Sequence, residues 1–154
     1  MDFKIDKMSL EDLISIKDIL TTEFDDFWNY EILKSELESN NSYFFVAKNI
    51  SGEIVGFAGI KIILDEADIM NIVIKKDFRN NGIGSLLLDY LISYSKSINL
   101  KTITLEVNEL NLPAIKLYEK FAFSKLGIRK KYYNGENDAI IMRKSFKQCW
   151  RKVL

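Results

Sequence analysis

An α+β fold of the α/β/α type, a mixed sheet with helices on its faces, is predicted by three features of this sequence. Segments of two-residue apolar alternation are interleaved with segments of helical spacing. One strand–helix–strand unit, from Asp68 to Val107, requires a right-handed parallel crossover. A β-hairpin precedes that unit and two further strands follow it. The 154 residues, 47% hydrophobic and 29% charged, suit a single domain over residues 1–154 with one core.

The elements follow in order. "SLED", Ser9 to Asp12, reads as a helix start, with Ser9 as cap and Asp12 three residues on. Apolar residues recur behind it at Leu13, Ile16, Ile19 and Leu20, which is helical spacing. A second helix is expected from about Asn29 to Glu38. "SYFFVAKN" reads as a strand, "ISGE" as a turn and "IVGFAGIKIIL" as the partner strand of a hairpin. "ADIMNIVIKK" is a strand, and its apolar run predicts burial on both faces. After it, apolar residues at 83, 87, 91, 94 and 98 predict an amphipathic helix ending near Asn99. "KTITLEVNE" is a strand with Ile103, Leu105 and Val107 on one face and Thr104 and Glu106 on the other. "NLPAIKLYEKF" is a short helix, capped by Asn111, with Pro113 in the first turn where a missing N–H costs nothing. Two strands around "RKKYYNG" and "DAIIMRKSF" close the chain, joined by a loop at Asn134-Gly135.

Charge and composition exclude several classes. Twenty-two basic residues balance 22 acidic ones, whereas a duplex nucleic-acid binder carries a basic excess. The single cysteine, Cys149, rules out an intramolecular disulfide and fits a reducing compartment. No signal peptide or membrane span is read, so the expected location is the cytoplasm, with no membrane partner. The absence of histidine removes the usual general base and every Ser-His or Cys-His arrangement, and nothing points to a metal.

Two of the seven glycines lie one residue apart in "RNNGIGSLLLDYL", Arg79 to Leu91. A strand ends, a loop carries G-x-G, and a helix begins at once. The first N–H groups of a helix lack internal partners, and its dipole adds partial positive charge there. Glycines let a bulky anion approach the backbone, so the stretch reads as a phosphate cradle. It is neither a P-loop, which needs G-x-x-x-x-G-K-[ST], nor a Rossmann fingerprint, because Leu87 stands at the third glycine position. Read alone, it is equally a plain loop in which Gly82 and Gly84 relieve strain.

Arg79-x-x-Gly82-x-Gly84 after "NIVIKKDF" resembles the acetyl-CoA-binding motif of the GNAT acetyltransferases, R/Q-x-x-G-x-G/A. "LDEADIMNIVIKKDFRNNGIGSLLLDYLI", "LEVNELNLPAIKLYEKFAF" and "RKKYYNGENDAIIM" resemble segments of the bacterial RimI-type N-terminal alanine acetyltransferases of ribosomal proteins. "FDDFWNYEIL" resembles that group's Phe-x-x-Pro-Trp segment loosely, with Phe27 in the proline's place. The resemblance implies a GNAT fold, whose mixed sheet has its parallel fourth and fifth strands splayed around acetyl-CoA. It implies an enzyme that moves an acetyl group from acetyl-CoA to a primary amine, without a covalent enzyme intermediate. The implied acceptor is the N-terminal alanine of a small-subunit ribosomal protein, and the implied state a monomer or weak homodimer.

Site residues carry over by position. The main chain of Ile72, Val73 and Ile74 would hold the pantetheine arm and thioester carbonyl. Arg79 opens the motif, and Asn80, Asn81, Gly82, Ile83, Gly84 and Ser85 would surround the pyrophosphate. Asn111 would bond the cofactor near its thiol end. Glu106 would be the general base and Tyr118 the general acid. Tyr132 and Tyr133 would shape the peptide slot, with Trp28 lining the substrate channel. Each also has an ordinary reading: Glu106 as a solvated strand residue, Tyr118 and Trp28 as packing, the tyrosine pair as plain strand. Lys75, Lys76 and Arg79 are most simply a solvated charge cluster, but they could attract the phosphates of CoA. The tail "FKQCWRKVL" is read as a packing or interaction segment, without a nucleophilic role for Cys149.

The chemistry needs an acid–base pair. An α-amino group with a pKa near about 8 is mostly protonated at neutral pH, and a base must take its proton. The departing thiolate needs one back. Two alternatives stay open: a small-molecule amine acetyltransferase acting on a polyamine or amino sugar, and a non-catalytic acyl-CoA-binding module, which would need neither Glu106 nor Tyr118.

Overall fold

A computed structural model describes residues 2–25, 28–133 and 135–146. Phe27, Asn134 and all of the tail "FKQCWRKVL" except Phe146 lie outside them. The chain forms two compact units, one of residues up to 62 with 69–92, the other of 63–68 with those from 93 on. One seven-stranded sheet has the order β1-β2-β3-β4-β5-β7-β6.

In the first unit, β1 (Lys4–Lys7), β2 (Ser42–Lys48) and β3 (Ile54–Ile63) run antiparallel. The sequence reading missed β1. Its four residues, KIDK, carry three charges and no apolar alternation, as befits a short edge strand. Phe44 on β2 faces Gly59 on β3, and a Cβ at Gly59 would meet the Phe44 ring at 2.3 Å, so only glycine leaves the ring its place. Helix α1 (Leu10–Ser15) starts with the expected capping box: the Ser9 N–H donates to Asp12 Oδ2 at 2.9 Å, and the Asp12 N–H to Ser9 Oγ at 3.0 Å. The helix does not continue to Leu20. A 3₁₀ turn at Lys17–Ile19 and a π-helical turn at Leu20–Phe24 replace it. Leu13, Ile16, Leu20 and Phe24 stay buried through these changes of winding, and Phe24 packs on Phe57 at 5.6 Å between ring centres. Helix α2 (Tyr30–Leu37) is capped by Asn29, whose Oδ1 accepts from the Ile32 N–H at 2.9 Å.

Strand β4 (Glu66–Ile74) begins in the second unit and ends in the first. It is not buried on both faces, contrary to its apolar run. Ala67, Asn71 and Val73 are buried while Glu66 and Asp68 are exposed and the rest half-buried. Neither amide atom of Asn71 has a hydrogen-bond partner. Helix α3 (Ile83–Ser97) buries Ile83, Leu87 and Leu91 of the expected stripe and also Leu88 and Ile92, while Tyr94 is half-buried and Ile98 lies beyond its end and is exposed.

In the second unit, Glu66–Asp68 of β4 pair parallel with Thr102–Thr104 of β5 (Thr102–Asn108), as the crossover requires. β7 (Asn137–Ser145) pairs antiparallel with β5 and with β6 (Ser124–Tyr133). On β5, Ile103, Leu105 and Val107 are buried and Thr104 and Glu106 half-buried, the predicted two faces. Helix α4 (Leu112–Lys120) follows β5. Among the described residues, no helix is long and apolar enough to cross a membrane.

Candidate active site

In the first unit, β4 ends at Ile74, and a 3₁₀ turn at Lys76–Phe78 leads into the glycine loop. Gly82 has φ +76°, a left-handed conformation that glycine adopts without strain, and Asn80 has φ +66°. The Gly82 carbonyl accepts from the Leu86 N–H at 3.1 Å, which opens α3. The N–H groups of Ile83, Gly84 and Ser85 therefore sit in the first turn with no acceptor inside the helix. Gly84 is helical, and a Cβ there would meet no atom within 4 Å. The chain's own packing does not require glycine at 84, and open backbone at a helix N-terminus suits a phosphate. Asn81 Nδ2 braces the loop by donating to the carbonyls of Phe78 (3.0 Å) and Arg79 (3.2 Å).

Two of the three basic residues beside this loop are tied to the fold. Lys75 Nζ lies 2.7 Å from Glu53 and 3.4 Å from Glu23, and its side chain is 12% exposed. The Glu53 hydrogen bond raises its pKa above the ordinary lysine value. Arg79 donates from Nε to the Ile74 carbonyl at 3.2 Å and from Nη2 to the Phe24 carbonyl at 2.8 Å. Its guanidinium ties the π-helical turn to the end of β4. Lys76, the third of them, is exposed. Val73 belongs to the first unit's core, and Trp28 packs half-buried against that core.

In the second unit, Glu106 Oε1 lies 2.9 Å from Arg129 Nη2, with the carboxylate side chain 26% exposed and the guanidinium side chain 55%. The Arg129 guanidinium stands 5.0 Å over the Tyr132 ring. Thus Glu106 and Tyr132, read separately from sequence, are joined through a residue that was not singled out. Strand register explains it: Gly127 and Glu106 both face Ile141, and Arg129 and Asn108 both face Ala139. Arg129 is one diagonal step from Glu106. Reading the last three strands as neighbours would have found it.

Asn111 caps α4, its Oδ1 accepting from the Ala114 N–H at 3.2 Å. Its Nδ2 stays available as a donor. Tyr118 is half-buried and packs edge-on against Phe123 at 5.9 Å. Tyr133 pairs with Asn137 at the end of β6, and its side chain lies outside the described part. On the same unit, burial first and the neighbouring Glu66 second push the Asp68 carboxyl above the ordinary range, against Arg143. Among the described residues, no group of three acidic or cysteine side chains is placed to hold a metal ion.

The sequence matches the Acetyltransferase (GNAT) family over residues 13–123. The chain belongs to the GNAT acetyltransferase family. Acetyl-CoA is therefore the co-substrate. Over 137 residues the chain is 36% identical to a Bacillus subtilis (strain 168) protein provisionally named a [ribosomal protein bS18]-alanine N-acetyltransferase, covering 88% of this chain and 90% of that one. Over 95 residues it is 39% identical to the [ribosomal protein bS18]-alanine N-acetyltransferase of Escherichia coli (strain K12), covering 60% of this chain and 64% of that one. The crystal structure of the Escherichia coli ribosomal-protein-S18-alanine N-acetyltransferase superposes with a TM-score of 0.88 at 28% identity, covering 99% of both chains. The mixed sheet with parallel β4 and β5 is the GNAT arrangement predicted.

Proposed function

We propose that this GNAT acetyltransferase acetylates the N-terminal alanine of a small-subunit ribosomal protein. The observation that carries the reading is likeness along nearly the whole chain to enzymes named for that reaction, 99% of it in the case of the crystal structure. Acetyl-CoA supplies the acetyl group as a thioester. In this reading the N–H groups of Ile83, Gly84 and Ser85 bind its pyrophosphate, with Asn80, Asn81 and Gly82 shaping the approach. The main chain of Ile72, Val73 and Ile74 holds the pantetheine arm, and Asn111 Nδ2 donates near the thiol end. Arg79, which also bonds the Ile74 and Phe24 carbonyls, stands beside the pyrophosphate as a cofactor-binding residue.

Glu106 accepts a proton from the substrate ammonium, directly or through a water, leaving a neutral amine that can attack. The C–N bond forms as the C–S bond breaks, the Tyr118 hydroxyl protonates the departing thiolate, and the second proton of the attacking nitrogen passes to the Tyr118 phenolate, leaving the neutral amide. With no histidine in the chain, Glu and Tyr are the groups suited to these transfers. Tyr132, Tyr133 and Trp28 shape the acceptor's slot. The protein acts as one domain over residues 1–154, in the cytoplasm, as a monomer or weak homodimer.

Incubation with acetyl-CoA and a panel of alanine-terminated and other peptides, polyamines and aminoglycosides tests this by the CoA released. Release confined to alanine-terminated peptides is expected. Equal or faster turnover of a polyamine or amino sugar replaces the acceptor. Acetyl-CoA binding without release to any amine makes the protein an acyl-CoA-binding module.

A further inference from the structure

We propose that Arg129 is the positioning residue for Glu106, fixing the carboxylate so that one oxygen is held and the other receives the amine proton. This rests on the reading of Glu106 as the base. The geometry is confined to the second unit and to three adjoining strands. Arg129 Nη2 holds Oε1 at 2.9 Å, which leaves Oε2 for the substrate. The arginine side chain travels diagonally over β7, from its own row beside Ala139 to the row of Ile141. On β7, the strand between the two residues, fully buried Ala139 lies in the Arg129 row and Ile141 in the Glu106 row. Its planar head stands over the Tyr132 ring, 5.0 Å from the ring centre.

A lone ion pair this exposed contributes little to stability. Its value lies elsewhere. A glutamate has three rotatable bonds, and a base acts only when its oxygen meets the proton within hydrogen-bond reach. Small misplacements of reacting groups cost large factors in rate. An arginine anchored on an aromatic ring removes that freedom. Lysine, a point charge on a flexible stem, keeps the charge and loses the planar stack.

A double-mutant cycle separates this from a surface ion pair. Wild type, Glu106→Gln, Arg129→Met and the double variant are compared at saturating acetyl-CoA, with the amine that the panel identifies. Arg129→Lys serves as the conservative variant, and thermal melting checks that each is folded. Expected are a loss in kcat on the order of tenfold for Arg129→Met, an unchanged KM for acetyl-CoA, partial recovery in Arg129→Lys, and no further loss when Arg129→Met is added to Glu106→Gln. The same fold-loss in both backgrounds would overturn the inference, because Arg129 would then act independently of Glu106. So would wild-type turnover in Arg129→Met beside a crippled Glu106→Gln, which leaves the base assignment standing. Full activity in Glu106→Gln overturns the base assignment and this inference with it.

Discussion

The loop at 79–85 offers a ligand its backbone, whereas Glu106, Arg129 and Tyr132 offer side chains. In the loop, Gly82 bends the chain through a left-handed residue, and what remains to bind is a row of N–H groups. In the second unit, a carboxylate, a guanidinium and a ring follow one another across the strands, joined by an ion pair and a cation–ring contact. The difference teaches where each part tolerates change. A backbone site is broken by an added side chain, and a side-chain site by a removed one.

The largest effect expected is on the side-chain site. Glu106→Gln keeps size and polarity but cannot take the proton, so turnover falls by about 10²–10⁴ while calorimetry shows acetyl-CoA affinity little changed. The deficit narrows as pH rises and more of the amine is already neutral. A deficit that is flat with pH would make Glu106 a binding residue.

Tyr118→Phe removes a hydroxyl and leaves the ring on Phe123, so the melting temperature stays near wild type. Turnover falls by about 10², and a thioester with a more acidic thiol recovers part of the rate. Normal turnover with acetyl-CoA would reduce Tyr118 to packing.

The backbone site is sharpened by comparing its two glycines. Gly84→Val loses acetyl-CoA affinity by about tenfold, one charge-assisted hydrogen bond's worth. It does so without strain, because its helical backbone accepts a side chain and nothing lies within 4 Å. Gly82→Val loses affinity too and also destabilises the fold by about 1–2 kcal/mol through its φ. Equal melting temperatures for the two variants would contradict the conformational distinction, and unchanged affinity in both would remove the cradle.

The smallest effect is electrostatic. The Lys75 hydrogen bond holds Glu53 below the ordinary carboxylate range, against the opposing pull of burial. A depressed acid stabilises the fold above its unfolded value and loses that contribution as pH falls through the folded one. Lys75, raised by the same bond, stabilises below its unfolded value and loses this as pH rises through its folded one. Melting temperature should therefore decline at both extremes, and Glu53→Gln should flatten both limbs by no more than a few degrees, since the pair is partly exposed. Unaltered limbs would show that the pair contributes nothing measurable.

Local chemistry made much of this legible. The caps at Ser9, Asn29 and Asn111 each bond a partner three residues away, so spacing alone reveals them. The two faces of β5 follow from alternation. The glycine loop stands out in the sequence because its residues are consecutive. Contacts between distant positions left no such trace. Arg79 bonds a carbonyl 55 residues away and Lys75 a carboxylate 22 residues away, and both passed for solvated charge. Arg129 stood unremarked beside Lys130 and Lys131 until strand register put it next to Glu106. The change of winding at 17–24 has no marker in residue type, because Ile16, Leu20 and Phe24 keep a spacing that an ordinary helix shares.

The Arg79 tie to two carbonyls bears on the motif's alternatives at that place. Arginine and glutamine share no charge, but both carry planar N–H groups at the end of a long side chain. Two neutral oxygens, on Phe24 and Ile74, ask for direction and reach rather than for a cation. A bond of that kind is also insulated from dissolved salt, which screens charge pairs and leaves a carbonyl's lone pairs alone. The first letter of the motif thus fastens a joint in the scaffold, and the interchange of a charged and an uncharged residue there becomes a matter of carpentry rather than electrostatics.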